Sequence, residues 1–304
     1  MCIRDSYKNR IEQVKRIADI PIMMDIKGPQ IRLITDSRYM LSLKDEFAVG
    51  FSDEPLHFNY DFFPDVDKND IIYFENGTIK TRIMEKTGDR QLKLKVIDKG
   101  EGLLKTRMGV NIPGRYLQVP RLSEKDLQVI DFSIINRLDY IALSFVRDKE
   151  DVANLQEAIS NRKAALYKRK LIGEDYAHNI GIIAKIEDEH GFNNLEDIIC
   201  CSKRMNADFG IMIARGDLFV EYPKEKLFTV QKAITEICRK SGTYVIAATG
   251  FLESMNEQPY PNRAEISDVV MAKMLGADAI MLSGETSNSR HPVEAVQMIS
   301  RILQ

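Results

Sequence analysis

Six five- or six-residue stretches govern what this chain can fold into: PIMMD (21–25), YIALSF (140–145), IGIIAK (180–185), FGIMIA (209–214), YVIAAT (244–249) and AIMLS (279–283). Each is apolar on successive residues, so alternate side chains on both faces must be buried. Such strands belong in a parallel sheet covered by helices. From residue 140 onward they recur every 29 to 40 residues, which leaves room for one crossover helix each. The intervening segments carry helix signals. Ser123 and Asp126 form a capping box opening a helix over 123–136, Pro223 opens one reaching about Ser241, and Gly276 closes RAEISDVVMAKML. Strict βα repetition yields either a doubly wound sheet or a (β/α)8 barrel. Six strands are two short of a closed barrel. Ile11, Val14 and Ile17 recur at helical spacing before the first strand, while the opening MCIRDS blends into neither pattern and is set aside as a fragment edge or non-native scar.

One interval breaks the rhythm: about 115 residues separate the first strand from the second, far more than a crossover helix needs. Within 33–112 the apolar period shifts to two, as in Gln91-Leu-Lys-Leu-Lys-Val-Ile-Asp98, and Glu75-Asn-Gly-Thr78 joins two such runs with a type I′ hairpin signal. These features predict a small antiparallel β domain inserted in a strand-to-helix loop. That face of an α/β fold carries the chemistry, so the insert is expected to cover the site as a lid.

Composition narrows the partners. Lys and Arg total 43 against 45 Asp and Glu, so no net basic field favours nucleic acid or an anionic membrane. No apolar run is long enough to cross a bilayer. Cys2, Cys200, Cys201 and Cys238 form no C-x-x-C pair and lie near no histidine cluster, which indicates neither a zinc site nor a disulfide framework and makes the reducing cytoplasm the default.

In GIIAKIEDEHG (181–191), Lys185 and Glu187 share one side of a strand, at its carboxyl end, while Ile186 points away. A lone Lys-x-Glu reads first as a structural ion pair. Repetition favours a site: four of the other five strands end in Arg215-Gly-Asp217, Thr249-Gly250, Ser283-Gly-Glu285-Thr286 and Asp25-Ile-Lys27-Gly28. Glu187 and Asp217, on adjacent strands, could hold one magnesium through oxygen, leaving positions open for substrate and water. Lys185 beside them suits a transferring phosphoryl group or a developing enolate oxygen.

These residues resemble the pyruvate kinase family. MDIKGPQIR (24–32) is similar to the family's DTKGPEIR, IIAKIED to its SKIEN, IMIARGDLFVE (211–221) to its MVARGDLGVE, and AATGFLESM (247–255) to its ATQMLESM. PNRAEISDV (261–269) and IMLSGETSNSRHPVEAV (280–296) match PTRAEVSDV and MLSGETAxGxYPVEAV. The resemblance runs from about residue 18 to 304. It implies an α/β fold with an incomplete (β/α)8 TIM barrel of about six strands, spanning 7–32 and 113–304, and a small antiparallel β-barrel lid over 33–112.

The implied activity is phosphoryl transfer from phosphoenolpyruvate to ADP, giving pyruvate and ATP in glycolysis. Glu187 and Asp217 would ligate Mg2+ or Mn2+, and Lys185 would stabilise the phosphoryl in flight and the enolate it leaves. Gly216, Asp217 and Thr249 would hold the substrate carboxylate, with Thr249 on the face from which the enolate is protonated. Asp25 matches a K+ ligand, Arg32 a phosphate-side cation, and Ser283 and Glu285 residues that support the proton-delivery network and site wall. A homo-oligomer is implied, tetrameric in the family and dimeric for this chain, with Arg263 and Glu265 near the interface.

The departures are specific. The family's first two barrel strands, with an arginine, an asparagine and a serine of the site, have no counterpart here, nor does its C-terminal domain. Ile26 replaces a threonine, Gln30 a glutamate or lysine, Phe219 a glycine, Gly250 a glutamine, Asn76 an aspartate and Met108 a lysine. An incomplete barrel predicts a recognisable but incomplete site and poor stability in isolation. The alternatives are a non-catalytic relative that binds phosphoenolpyruvate or pyruvate with a divalent metal and, against the KGPQIR and SGET motifs, another metal-dependent barrel such as an aldolase or mutase.

Overall fold

Backbone hydrogen bonds turn the six apolar stretches into six parallel strands. A computed structural model describes residues 3–28, 30–52, 54–75, 77–174, 176–205 and 208–304. The strands are Met23–Ile26, Tyr140–Leu143, Gly181–Ile186, Phe209–Ala214, Tyr244–Ala248 and Ala279–Met281, and they lie side by side in chain order. This is a curled half-barrel sheet. Among the described residues neither edge strand pairs with a further strand.

The double-faced apolar pattern has a direct physical outcome. Ile182, Ala184 and Ile186 face outward into a core shared with Ile130, Ile134, Val152, Leu155, Ile198 and Ile234 of the helices. Ile183 faces inward, against Ala142, Met212, Ile246 and Ala248. Full burial of an Ile or Leu is worth about 2 kcal/mol, so the helix-covered outer layer holds the sheet more than the three-to-five-residue ladders do.

Helix boundaries follow their caps. Ser123 accepts from the Asp126 amide and Asp126 returns the bond, opening Glu124–Ile135, and Gly276, at φ +99°, ends Arg263–Leu275. One expectation needs correction: Pro223 precedes a 3-10 turn, Lys224–Lys226, so the helix proper is Leu227–Ser241. Helix Ile3–Ile17 takes in part of the opening stretch, and Arg215–Glu221 is helical directly from the end of strand Phe209–Ala214.

The segment between the first two barrel strands is antiparallel β. Val110–Asn111, Ile71–Phe74, Ile79–Lys86, Leu92–Asp98 and Glu46–Val49 form one sheet, and Leu33–Thr35 with Leu56–Phe58 and Tyr39–Met40 with Leu103–Leu104 form two short ladders. Separate sheets around one core replace the single small barrel expected. Leu92, Leu94 and Val96 alternate into that core beside Phe58, Phe62 and Phe74. The turn before Ile79 is four residues long, with Glu75 at φ +47° and Gly77 at +83°, and Asn76 lies outside the described residues.

Arg121 ties the lid's return path to helix Lys149–Lys168. Its guanidinium bonds the N-cap Asp148 (2.6 and 3.0 Å) and also Asp151, the other half of that capping box. Burial alone would raise Asp148, but Arg121 and the Tyr116 hydroxyl hold it down at about 2, whereas burial raises Asp151. The folded value of Asp148 lies below its ordinary 3.8, so its contribution is complete above about pH 4 and lost as pH falls towards 2. Arg121→Ala is expected to remove on the order of 1 kcal/mol at neutral pH, after screening at the part-exposed guanidinium. Urea unfolding at pH 7 and pH 2.5 checks this, the difference from the parent shrinking at the lower pH.

Candidate active site

Three neighbouring strand ends converge on one ammonium. Strand alternation puts Lys185 on the inward face, and its Nζ lies 2.9 Å from Asp25 Oδ2, 2.8 Å from Ser144 Oγ and 3.0 Å from Glu187 Oε1. Ser144 Oγ also reaches Asp25 Oδ1 at 3.2 Å. Glu187 is buried, and its other oxygen accepts from the Phe145 amide at 2.8 Å. Phe145 sits at φ +54°, a left-handed backbone that a bulky residue adopts only when its surroundings enforce it. Gly28 is required nearby: its φ is +55°, and a Cβ would come within 2.6 Å of the Ser144 carbonyl.

The electrostatics are lopsided. Burial disfavours the Lys185 ammonium, but Glu187 and Asp25 outweigh it and hold the group charged above its ordinary range. Burial pushes Glu187 up to about 8 despite Lys185, with the charge on Asp217 adding to the rise. Asp217 is half-buried at the start of helix Arg215–Glu221 and is likewise raised, first by burial, against the pull of Lys185. Glu221, at the far end of that helix, is raised to about 8 by burial and by Asp188. Asn111, from the lid's last strand, donates to Glu221 at 3.2 Å and is within reach of Asp217. Asp25, Glu187 and Asp217 thus share one nearby cation.

That surplus of carboxylate is the chemistry of a divalent-cation site. Among the described residues no group of three or more His, Cys, Asp or Glu is arranged as a metal cage. Glu187 and Asp217 supply two oxygen donors. A hard ion such as Mg2+ is commonly held by one or two carboxylates, with substrate and water completing its shell, so the residues present fit.

The second half of the site lies between the fourth and fifth strands. The Gly216 amide donates to Thr249 Oγ1 at 2.8 Å. Thr249 and Gly250 sit at φ +67° and +72°, turning the chain sharply off its strand. Phe219 does not line this region: its ring is 41% exposed and lies 4.9 Å from the Lys224 ammonium.

The remaining candidates are placed apart. Arg32 begins the lid, where its guanidinium bonds Gln30 Oε1 (2.6 Å) and the Arg107 carbonyl. Burial, followed by Arg32, Lys125 and Arg107, lowers Lys27 against the pull of Asp25, and burial lowers Arg32 against the pull of Glu75, so cations crowd this corner with a carboxylate facing each. Met108 is buried, its sulfur accepting from the Lys105 amide. The Ser283 amide donates to Glu285 Oε2 at 2.7 Å and the Ser283 carbonyl accepts from Thr286. Those bonds close a turn at the sixth strand and do not reach Lys185. Ser144, Phe145, Asn111 and Glu221 were not singled out from sequence. Ser144 stands at the end of YIALSF and Glu221 at the end of RGDLFVE, which was the available signal.

The family described as "Pyruvate kinase, barrel domain" matches residues 3–296. Curated relatives include the pyruvate kinases of Sporosarcina psychrophila (36% identical, over 97% of this chain and 49% of the relative), Borreliella burgdorferi (35%, 96% and 58%) and Lachancea kluyveri (34%, 92% and 54%). The chain spans about half the length of these relatives. With a family match along nearly its whole length and relatives 34–36% identical over more than nine-tenths of it, the chain belongs to the pyruvate kinase family.

Proposed function

We propose that this protein transfers the phosphoryl group of phosphoenolpyruvate to ADP, giving pyruvate and ATP. The observation that carries the reading is the Lys185 ammonium, held by Asp25, Ser144 and Glu187 beside the carboxylate of Asp217, in a chain of this family. A fixed ammonium in a water-poor site stabilises charge developing on phosphoryl and enolate oxygens far better than a mobile one. Its three partners hold it in place before substrate arrives.

Other roles follow from position. Glu187 and Asp217 would hold Mg2+ or Mn2+, which when bound supplies charge neutralisation for phosphoryl oxygens. Gly216 and Thr249 satisfy one another in this structure. A substrate carboxylate would accept from both, the Thr249 hydroxyl turning from acceptor to donor. Thr249 then lies where a proton is delivered to the enolate carbon. Arg32 faces the phosphate side with Lys27. Asp25 is the proposed K+ ligand, Ser283 and Glu285 support the wall, and the antiparallel segment over 33–112 acts as the lid.

Partners are argued from surfaces. Helix Arg263–Leu275 exposes Ile266, Val270, Met271 and Met274, the last at 73%, an apolar stripe suited to a second copy of the chain. Net charge of −2 offers nothing to nucleic acid. Among the described residues no helix is long and apolar enough to cross a membrane. The free thiols of Cys200, Cys201 and Cys238 suit the reducing cytoplasm.

The test is phosphoenolpyruvate-dependent ATP formation with Mg2+, with and without K+, on the 304-residue chain and on any longer product of the same gene. ATP formation dependent on both substrates is expected. Mg2+-dependent phosphoenolpyruvate binding without turnover in either would leave a non-catalytic binding protein instead.

A further inference from the structure

We propose that Arg215 is a positioning residue: it clamps the turn carrying Thr249, and Gly250 and Phe251 are shaped to receive it. The inference rests on the reading above, in which Thr249 meets substrate.

The turn after strand Tyr244–Ala248 runs through Thr249 (φ +67°), Gly250 (+72°) and Leu252 (+54°), a left-handed path that L residues avoid. Arg215 holds it. Nε donates to the Thr249 carbonyl at 2.9 Å and Nη2 to the Gly250 carbonyl at 3.0 Å. The outer edge of the guanidinium forms a two-pronged pair with Asp268 of helix Arg263–Leu275, at 2.9 and 2.7 Å. Its face lies 3.6 Å from the Phe251 ring centroid. Arg215 is only 8% exposed and Phe251 is fully buried, so water does not compete for these contacts.

The neighbouring residue completes the argument. While Arg215 takes the backbone of Thr249, Gly216 takes its hydroxyl. Two consecutive residues thus fix Thr249 at two points, which sets the direction of its side chain. Gly250 suits the turn because its backbone lies at φ +72°, and a Cβ there would meet Nη2 only in ordinary contact, at 3.4 Å. The Gly250 carbonyl and the Phe251 ring thus receive the edge and the face of one planar cation. A lysine offers neither the fork nor the flat face.

Arg215→Lys and Phe251→Met test this. Pyruvate serves as the carboxylate probe, by calorimetry with Mg2+, and hydrogen exchange of the Gly216 amide, followed by nuclear magnetic resonance, reports the Thr249 hydroxyl. Arg215→Lys is expected to weaken pyruvate about tenfold and to speed Gly216 exchange about as much, with a smaller shift of the same sign for Phe251→Met. Unchanged pyruvate affinity, even with faster exchange, overturns the positioning role. If the parent binds no pyruvate, the functional reading fails instead, and Gly216 exchange still shows whether Arg215 fixes the hydroxyl. Should Arg215→Lys fail to fold, Asp268→Asn, which keeps the guanidinium and removes its anchor, is read in the same two ways.

Discussion

Lys185→Met is expected to lower phosphoryl transfer about a hundred- to a thousandfold while leaving a folded protein that still binds Mg2+. The rate effect follows from the site's arithmetic. One ammonium serves Asp25, Glu187 and the incoming phosphoryl group, and removing a preorganised charge donor from such a site typically costs a hundred- to a thousandfold by itself. The structural cost is smaller than a broken buried ion pair would suggest, about 3 kcal/mol or less. Glu187 already lies near 8, so without Lys185 it takes up a proton rather than remaining a bare buried charge. Coupled assay of ATP formation and a thermal melt, side by side, check both halves. More than a tenth of the parent's activity in the mutant would remove Lys185 from the centre of the reaction.

Adding Mg2+ should raise the melting temperature, and Glu187→Gln should abolish the rise. At a free Mg2+ concentration a hundredfold above its dissociation constant, binding to the folded state alone stabilises by about 2.7 kcal/mol, or about 5 °C for a chain of this size. The mutant itself is expected to be no less stable than the parent without Mg2+, because burial already penalises the charged form of Glu187 and the amide removes that charge. Lys185 retains Asp25 as its partner. Tetramethylammonium at matched ionic strength separates ordinary screening from a site. A melting curve that ignores Mg2+ in the parent would sink the metal assignment of Glu187 and Asp217.

How much of this was legible beforehand depended on what kind of signal each feature leaves. The parallel strands were readable because burial on both faces imposes apolar residues at successive positions, as in Gly181–Ile186. Lys185 and Glu187 stood out because polar or charged residues recur at the ends of four other strands, which a lone structural ion pair would not require. Phe145 was not. Its contribution is a backbone amide aimed at Glu187, and the aim depends on φ +54°, which runs against the preference of its own side chain. Helix Arg215–Glu221 was hidden for a related reason: seven residues containing a glycine carry little helical periodicity, and the helix exists because its first residue is anchored to Thr249, Gly250 and Asp268. The separate ladders of the lid were equally unreadable, since period-two patterning places a residue on a face without naming its partner strand.

The bonds around Lys185 span 160 residues to Asp25 and 41 to Ser144, and strands Met23–Ile26 and Tyr140–Leu143 pair across the whole inserted segment. Closing a loop of that length early in folding is entropically costly and slow. The insert contains its own remedy. Its two ends meet at the Arg32–Gly109 bridge and the Leu33–Met108 hydrogen bond, so once it has folded the effective closure shrinks from about 115 residues to about 40, lowering the entropic cost by on the order of 1 kcal/mol. The inserted antiparallel segment would thus first serve as a kinetic staple, and damage to its own core would delay the first strand's arrival beside the second without touching either strand.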